Sequence, residues 1–157
     1  MSAPQPRAKD RALRLLSSRS RSREELRRRL LRAGFHPSEI ESAIEDLEGV
    51  GLVDDERFAQ ELTRHEAGRR GKGRRAVVAS LRRAGLETAV VERAVMGLEN
   101  GEEERAIGVA EKRARALTSL DPKVARKRLF EFLLRRGYSY ETARAACRKV
   151  LGDEGDP

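Results

Sequence analysis

Cysteine is almost missing from this chain of 157 residues: Cys147 stands alone. A single thiol excludes an internal disulfide and any zinc site built on paired cysteines, and it points to a reducing, cytoplasmic compartment. Tryptophan is absent, and aromatic residues make up only 4% of the chain. A thick core built on rings is therefore excluded, and so is a row of stacking platforms for single-stranded bases. No apolar run approaches the length of a membrane span, and the opening MSAPQPRAKD has no hydrophobic signal region. The sequence is that of a soluble chain that makes no use of a membrane. Only two histidines occur, His36 and His65, and neither has a partner at metal-ligand spacing.

What is plentiful is charge. Asp, Glu, Lys and Arg form 38% of the chain, against about a quarter in an ordinary domain. The net charge is +8, which favours polyanions or acidic protein surfaces as partners. The charges alternate in blocks. Residues 11–32 hold nine arginines against two glutamates, and residues 39–61 hold nine acids against Arg57. Residues 64–83 then carry eight bases against Glu66, and residues 123–136 six against Glu131. Two readings stay open: a recurrent basic strip for a partner, or basic helices that neutralise their acidic neighbours.

The apolar residues repeat. Three stretches align on Gly34, Gly85 and Gly137, with periods of 51 and 52 residues. Four positions before each glycine stand Leu30, Leu81 and Leu133; eight before stand Leu26, Val77 and Leu129. One after stand Phe35, Leu86 and Tyr138, and further on Ile40, Val91, Ala143 and Ile44, Val95, Cys147 fall into register. These offsets describe two amphipathic helices joined at a glycine, which takes the left-handed conformation at a helix end without steric cost. Ser22 with Glu25 forms a capping-box pattern, Asp121-Pro122 reads as a helix start, and Pro37 and Ser139 mark the next starts. A further helix precedes each pair, over residues 8–17, 55–67 and 102–117, with Leu13, Leu16, Phe58, Leu62, Ala106, Val109 and Ala110 facing inward. The expected fold class is all-α: an elongated, slightly curved array of three tandem three-helix repeats, about nine helices. The expected domains are a disordered segment 1–6, repeats over 7–52, 53–100 and 101–151, and an acidic tail 152–157.

Between the repeats, Asp54 or Asp55 is expected to cap the helix that follows, with Phe58 as its large anchor. Downstream, Gly68, Gly71 and Gly73 break that helix. They give an expected flexible loop that presents Arg69, Arg70, Lys72, Arg74 and Arg75 for electrostatic docking, supported by Arg27, Arg28, Arg126 and Lys127. Asp54, Asp55, Phe58, Gly34, Gly85 and Gly137 are assigned to structure. The run GRRGKGRR lacks the further glycine and the Ser or Thr of a phosphate-cradling loop. Cys147 stands at an apolar register position and reads as a small core residue. Adjacent acids at a helix start do not face each other, so Asp54-Asp55 is no acid–base pair. No catalytic residue, metal site or cofactor site is expected, and the chain does not read as an enzyme.

The run GLVDDERFA (residues 51–59), followed by GKGRRAVVASLRRAGL, resembles the RecX family of bacterial recombination regulators. The opening ALRLLSSRSRSREELRRRL and the next segment LLRAGFHPSEIESAIEDLEGVGLVDD are similar to that family's first repeat, with Leu15 where an aromatic is frequent. The third repeat carries the likeness least. The resemblance implies tandem three-helix repeats. It also implies binding to the RecA recombinase filament on DNA, with inhibition of its ATP hydrolysis, strand exchange and co-protease activity. Some relatives of this kind bind DNA directly, and the arginine-rich loop leaves that contribution open. A monomer is expected. The alternative reading is a direct DNA-binding protein with helix-turn-helix-like units.

Overall fold

A computed structural model describes residues 7–153; the segment expected to be disordered (1–6) and the end of the acidic tail (154–157) lie outside the described residues. Among the described residues there are nine α-helices and no strand. The first repeat comprises α1 (Ala8–Ser18), α2 (Arg23–Arg32) and α3 (Pro37–Gly49). The second comprises α4 (Asp55–Thr63), which a π-helical turn Arg64–Arg69 extends, then α5 (Arg74–Arg83) and α6 (Thr88–Val95). The third comprises α7 (Glu102–Ala114), extended by a 3₁₀ turn Arg115–Leu117, then α8 (Pro122–Arg135) and α9 (Tyr140–Leu151).

The helix boundaries follow local chemistry. The Ser22 hydroxyl accepts from the Glu25 N–H at 3.1 Å, and the Ser22 N–H donates to the Glu25 carboxylate at 3.4 Å, a reciprocal cap on α2. Pro37 opens α3, where a missing N–H costs nothing. Asp121 accepts from the Lys123 N–H at 2.9 Å ahead of Pro122 in α8, and Ser139 accepts from the Thr142 N–H at 3.1 Å in α9. Gly34, Gly85 and Gly137, with φ of 90°, 76° and 92°, turn the second helix of each repeat into the third.

The chain packs as two compact units, and their boundary runs through the middle repeat. One unit holds the residues up to Leu62 together with Leu81–Ala94; the other holds Thr63–Ser80 and the residues from Val95 onward. In the first, Ala12, Leu26, Leu30, Ile40, Ile44 and Leu47 form the core. Each fully buried Leu or Ile there contributes about 1.5–3 kcal/mol. Leu13 is exposed rather than inward. Ala8, Ala12, Leu15 and Leu16, at helical spacing, already fill the inner stripe of α1, and Leu13 lies off it. In the second unit Leu129, Leu133, Tyr138, Ala143, Ala146 and Cys147 close around Ala106 and Ala110.

Each unit contains one joint between successive repeats, and the two joints are built alike. In the first, the start of α2 meets the glycine turn of the second repeat. The Ser22 hydroxyl donates to the Ala84 carbonyl at 2.6 Å, and Arg28 donates to the Arg83 carbonyl at 3.1 Å. The Arg23 N–H donates to the Asp55 carboxylate at 2.8 Å. In the second joint, the start of α5 meets the glycine turn of the third repeat. The Gly73 and Arg75 N–H groups donate to the Arg136 and Gly137 carbonyls at 2.9 and 3.2 Å. The Arg74 N–H donates to the Glu102 carboxylate at 2.7 Å. Twice, then, an acid at the start of the next repeat's first helix caps the middle helix of the repeat before it.

This corrects the role expected for Asp55. Asp54 is the local cap, accepting from the Arg57 N–H at 3.0 Å, while Asp55 caps α2 across the joint. Two adjacent acids at one helix start point in different directions, so each serves a different helix. The joints also leave no room for side chains at their glycines. A Cβ on Gly85 would lie 2.3 Å from Glu24 Cγ, and one on Gly137 would lie 2.4 Å from Ala76 Cβ; around Gly34 nothing stands within 4 Å.

Substituting these glycines therefore separates two costs. Gly34→Ala is expected to lose about 1 kcal/mol, the backbone cost alone. Gly137→Ala adds a steric clash of about 1–3 kcal/mol, so it should lose roughly two to four times as much in urea unfolding.

Candidate partner-binding site

The basic segment after α4 is not a loose loop. Glu66, only 4% exposed, sits in the π-helical turn and gathers the residues around it. Its carboxylate pairs with Lys72, accepts from Arg70 at 3.2 Å, and accepts from the Ser80 hydroxyl at 3.2 Å. Burial alone would raise the Glu66 carboxyl; the bonds from Lys72, Arg70 and Ser80 outweigh it and hold the group below its ordinary value. The Tyr138 hydroxyl donates to the Gly71 carbonyl at 2.7 Å, and Arg136 donates to the Arg70 carbonyl. Gly71 has a φ of 61°, and its missing Cβ would fall 2.7 Å from Val109. Gly68 lies inside the π turn. Gly71 and Gly73 serve close packing, whereas nothing stands within 4 Å of a Cβ placed on Gly68; the flexible loop expected here is a held conformation.

This arrangement sorts the five cations. Arg70 and Lys72 are bound to Glu66, and Arg74 pairs with Glu99 at 3.6 Å. Arg69 and Arg75 are exposed, and neither side chain joins an ion pair among the described residues. The four supporting residues divide as well. Arg27 bonds Glu41 and Glu24 at 2.6 and 2.5 Å, and Arg28 bonds Glu24 at 2.9 Å. Arg126 is buried, which corrects its expected place at the surface: it lies on the inner side of α8 beside Ala125 and Leu129 and donates to the Gly152 carbonyl at 2.7 Å. Lys127 is exposed.

The strip of basic middle helices is thus uneven. On α2 the neutralising arrangement holds for Arg23, Arg27 and Arg28, while Arg29 and Arg32 are exposed and join no ion pair among the described residues. Arg23 reaches Glu41 and Glu48 of α3 at 2.6 and 2.5 Å, next to the Arg27–Glu41 pair. The guanidinium of Arg27, joined by that of Arg23, draws the Glu41 carboxyl down to about 2. On α8, Lys127, Arg128 and Arg135 are all exposed. Arg128 and Arg135 escaped the sequence reading; their seven-residue spacing, with Lys127 beside Arg128, is the signal that places them on one face. Near them Arg113 and Arg136 stack on Phe132, with guanidinium carbons 5.2 and 5.7 Å from the ring centre. Cys147 is buried, and burial pushes its thiol up to about 11, which leaves it unreactive near neutrality. No cluster of three or more metal-ligating side chains occurs among the described residues. No helix among them is long and apolar enough to cross a membrane.

Two measurements check these assignments. Glu66→Ala leaves Lys72 half-buried without its partner. It should cost about 3 kcal/mol in urea unfolding and speed amide exchange across residues 70–73. Glu41 is ionised in the folded state down to about pH 2, whereas its unfolded counterpart protonates near its ordinary 4.5. Its contribution is therefore complete above pH 4.5 and is lost as the pH falls toward 2. Glu41→Gln should flatten the stability profile in that window and nowhere else.

Three sequence models match this chain in order, described as the first, second and third three-helix domains of RecX, over residues 8–47, 54–95 and 101–147. The regulatory protein RecX of Chlorobaculum tepidum is 37% identical over 147 residues, covering 94% of this chain and 90% of that protein. That of Mycolicibacterium vanbaalenii is 40% identical over 151 residues, covering 90% of this chain and 81% of the relative. Among solved structures, RecX from Lactobacillus salivarius superposes with a TM-score of 0.78 at 22% identity, over 91% of this chain and 94% of that one. Helix order, joint geometry and these likenesses lead to one conclusion: the chain belongs to the RecX family of regulatory proteins.

Proposed function

We propose that this protein acts without catalysis of its own, by binding the RecA recombinase filament on DNA and restraining ATP hydrolysis, strand exchange and co-protease activity. The observation that carries the reading is a set of exposed cations that join no ion pair among the described residues, Arg69 and Arg75 beside the glycine turn of the third repeat and Lys127, Arg128 and Arg135 along α8. Cations without internal partners meet external anions at no cost in broken ion pairs. Membership of a family of regulatory proteins supports the choice of a recombinase as the partner. A filament repeats along its axis, so repeats linked in one chain can touch successive subunits, and linkage raises the effective concentration of each weak contact. The reading places the protein in the cytoplasm, as a monomer, and requires no cofactor. Arg70, Lys72, Arg74, Arg27 and Arg28 are held in ion pairs within the chain and join the contact only at the cost of those pairs, and the buried Arg126 lies outside it.

A second reading, direct binding to DNA through helix-turn-helix-like pairs, draws on the same exposed cations of α8. Such binding would weaken steeply with salt as phosphate counterions are released. A mobility-shift assay without recombinase distinguishes the two: tight, sequence-selective binding would favour DNA as the primary target.

The reading is tested by strand-exchange assays with the cognate recombinase. Arg69→Glu with Arg75→Glu should raise the concentration needed for inhibition about tenfold or more while leaving the helical signal intact, a loss of about 1.4 kcal/mol or more in binding. Unchanged inhibition by this double variant would remove these cations from the contact. Absence of any filament binding at moderate salt would remove the function itself.

A further inference from the structure

The third repeat holds a cavity of about 1070 Å³ that the basic surface does not use. The 3₁₀ turn after α7, the first turn of α8 and the end of α9 surround it. Leu117, Leu120, Ala125, Val150 and Leu151 give it an apolar floor. Three cations line it: Arg115, Lys123 and Arg126. Arg126 is the unusual one. Only 7% of the residue is exposed, yet among the described residues its guanidinium bonds only the carbonyls of Gly152 and Leu151, at 2.7 and 3.5 Å. An arginine withdrawn from water this far normally has a carboxylate to balance it, because an uncompensated buried charge is costly. The acids nearby are otherwise engaged or set apart. Asp121 caps its own helix, Asp153 pairs with Arg148 at 3.2 Å, and Glu111 lines the cavity from α7 without an ion pair among the described residues.

The first turn of α8 adds to the same field. A helix of 14 residues begins at this cavity, and its N-terminal end carries the positive pole of the backbone dipoles. The volume exceeds that of most small-molecule sites, which run to roughly 1,000 Å³. It has room for two or three side chains in a row.

We propose that this groove binds an acidic and apolar segment of a partner protein. A carboxylate of the segment meets Arg126 between Arg115 and Lys123, and the flanking apolar side chains enter the floor at Leu117, Leu120 and Leu151. Arg126 then has two tasks: it ties down the end of α9, and it supplies the charge that selects the ligand. The proposal does not depend on the recombinase reading or on the exposed arginines near the second joint.

The test uses the full chain and a fluorescein-labelled peptide of alternating leucine and glutamate, followed by anisotropy. A counterpart with glutamine in place of glutamate isolates the charge. The acidic peptide should bind saturably, and the neutral one about tenfold more weakly or worse. Arg126→Gln, which keeps a donor for the Gly152 carbonyl, should weaken the acidic peptide by a similar factor. Should that variant unfold, Arg115→Glu with Lys123→Glu on the rim makes the same measurement without touching a buried group. Equal affinity for both peptides, indifference to the rim variant, or no saturable binding would each overturn the proposal. Preference for decanoate over the peptide would reassign the groove to a free amphiphile. Binding that arises only after deletion of residues 154–157 would reassign it to the chain's own tail. Both results overturn a partner segment as the occupant. Because no recombinase is present, failure here leaves the strand-exchange result standing, and the converse holds too.

Discussion

The fold depends on satisfying the backbone at the start of each middle helix. A helix start exposes N–H groups that its own turns cannot satisfy, and burying them unpaired costs about 1–3 kcal/mol each. This chain brings its next repeat to the task. Asp55 caps α2 and Glu102 caps α5, each from the first turn of the following helix triplet. At the second joint the glycine turn then approaches closely enough for direct bonds between main chains, while at the first the Ser22 hydroxyl and the Arg28 guanidinium bond its carbonyls. Seen this way, the division into two compact units is natural: each unit is organised around one joint, and the middle repeat contributes to both.

Charge serves two purposes in the same molecule. On α2 it is internal, because Arg23 and Arg27 lie between Glu24, Glu41 and Glu48. Around Glu66 it is internal as well, and the buried carboxylate shapes the turn that carries Arg69 outward. Other cations, among them Arg69, Arg75, Lys127, Arg128 and Arg135, are exposed and join no ion pair among the described residues. Counting basic residues along the sequence merges these classes, since pairing across 14 or 18 positions is invisible until the helices pack.

Much of the architecture was legible beforehand, for identifiable reasons. Leu26, Leu30, Ile40 and Ile44 repeat with helical spacing, and the same register at Leu129, Leu133, Ala143 and Cys147 marks the third triplet. Ser22, Pro37, Asp121 and Ser139 announce helix starts through chemistry within a few residues. Several of the misreadings involve partners far away in sequence. Asp55 serves Arg23, 32 residues away, and Tyr138 fastens Gly71 across 67. Arg126 looked like its surface neighbours because α8 places a cation on its inner side, which charge density alone does not reveal. The expected break at Gly68 does not occur: a π turn carries the helix through Gly68 to Arg69, and Glu66 within that turn pairs with Lys72 and Arg70.

The glycine at each joint has a wider consequence. Each bond across these seats has a main-chain carbonyl or amide proton on at least one side, so none needs a matched pair of side chains. Mutational drift can therefore alter most of the surrounding surface while neighbouring triplets remain seated. RecX from Lactobacillus salivarius, at 22% identity, keeps the same fold at a TM-score of 0.78. Ancestry here is written in the path of the main chain more durably than in the letters that encode it.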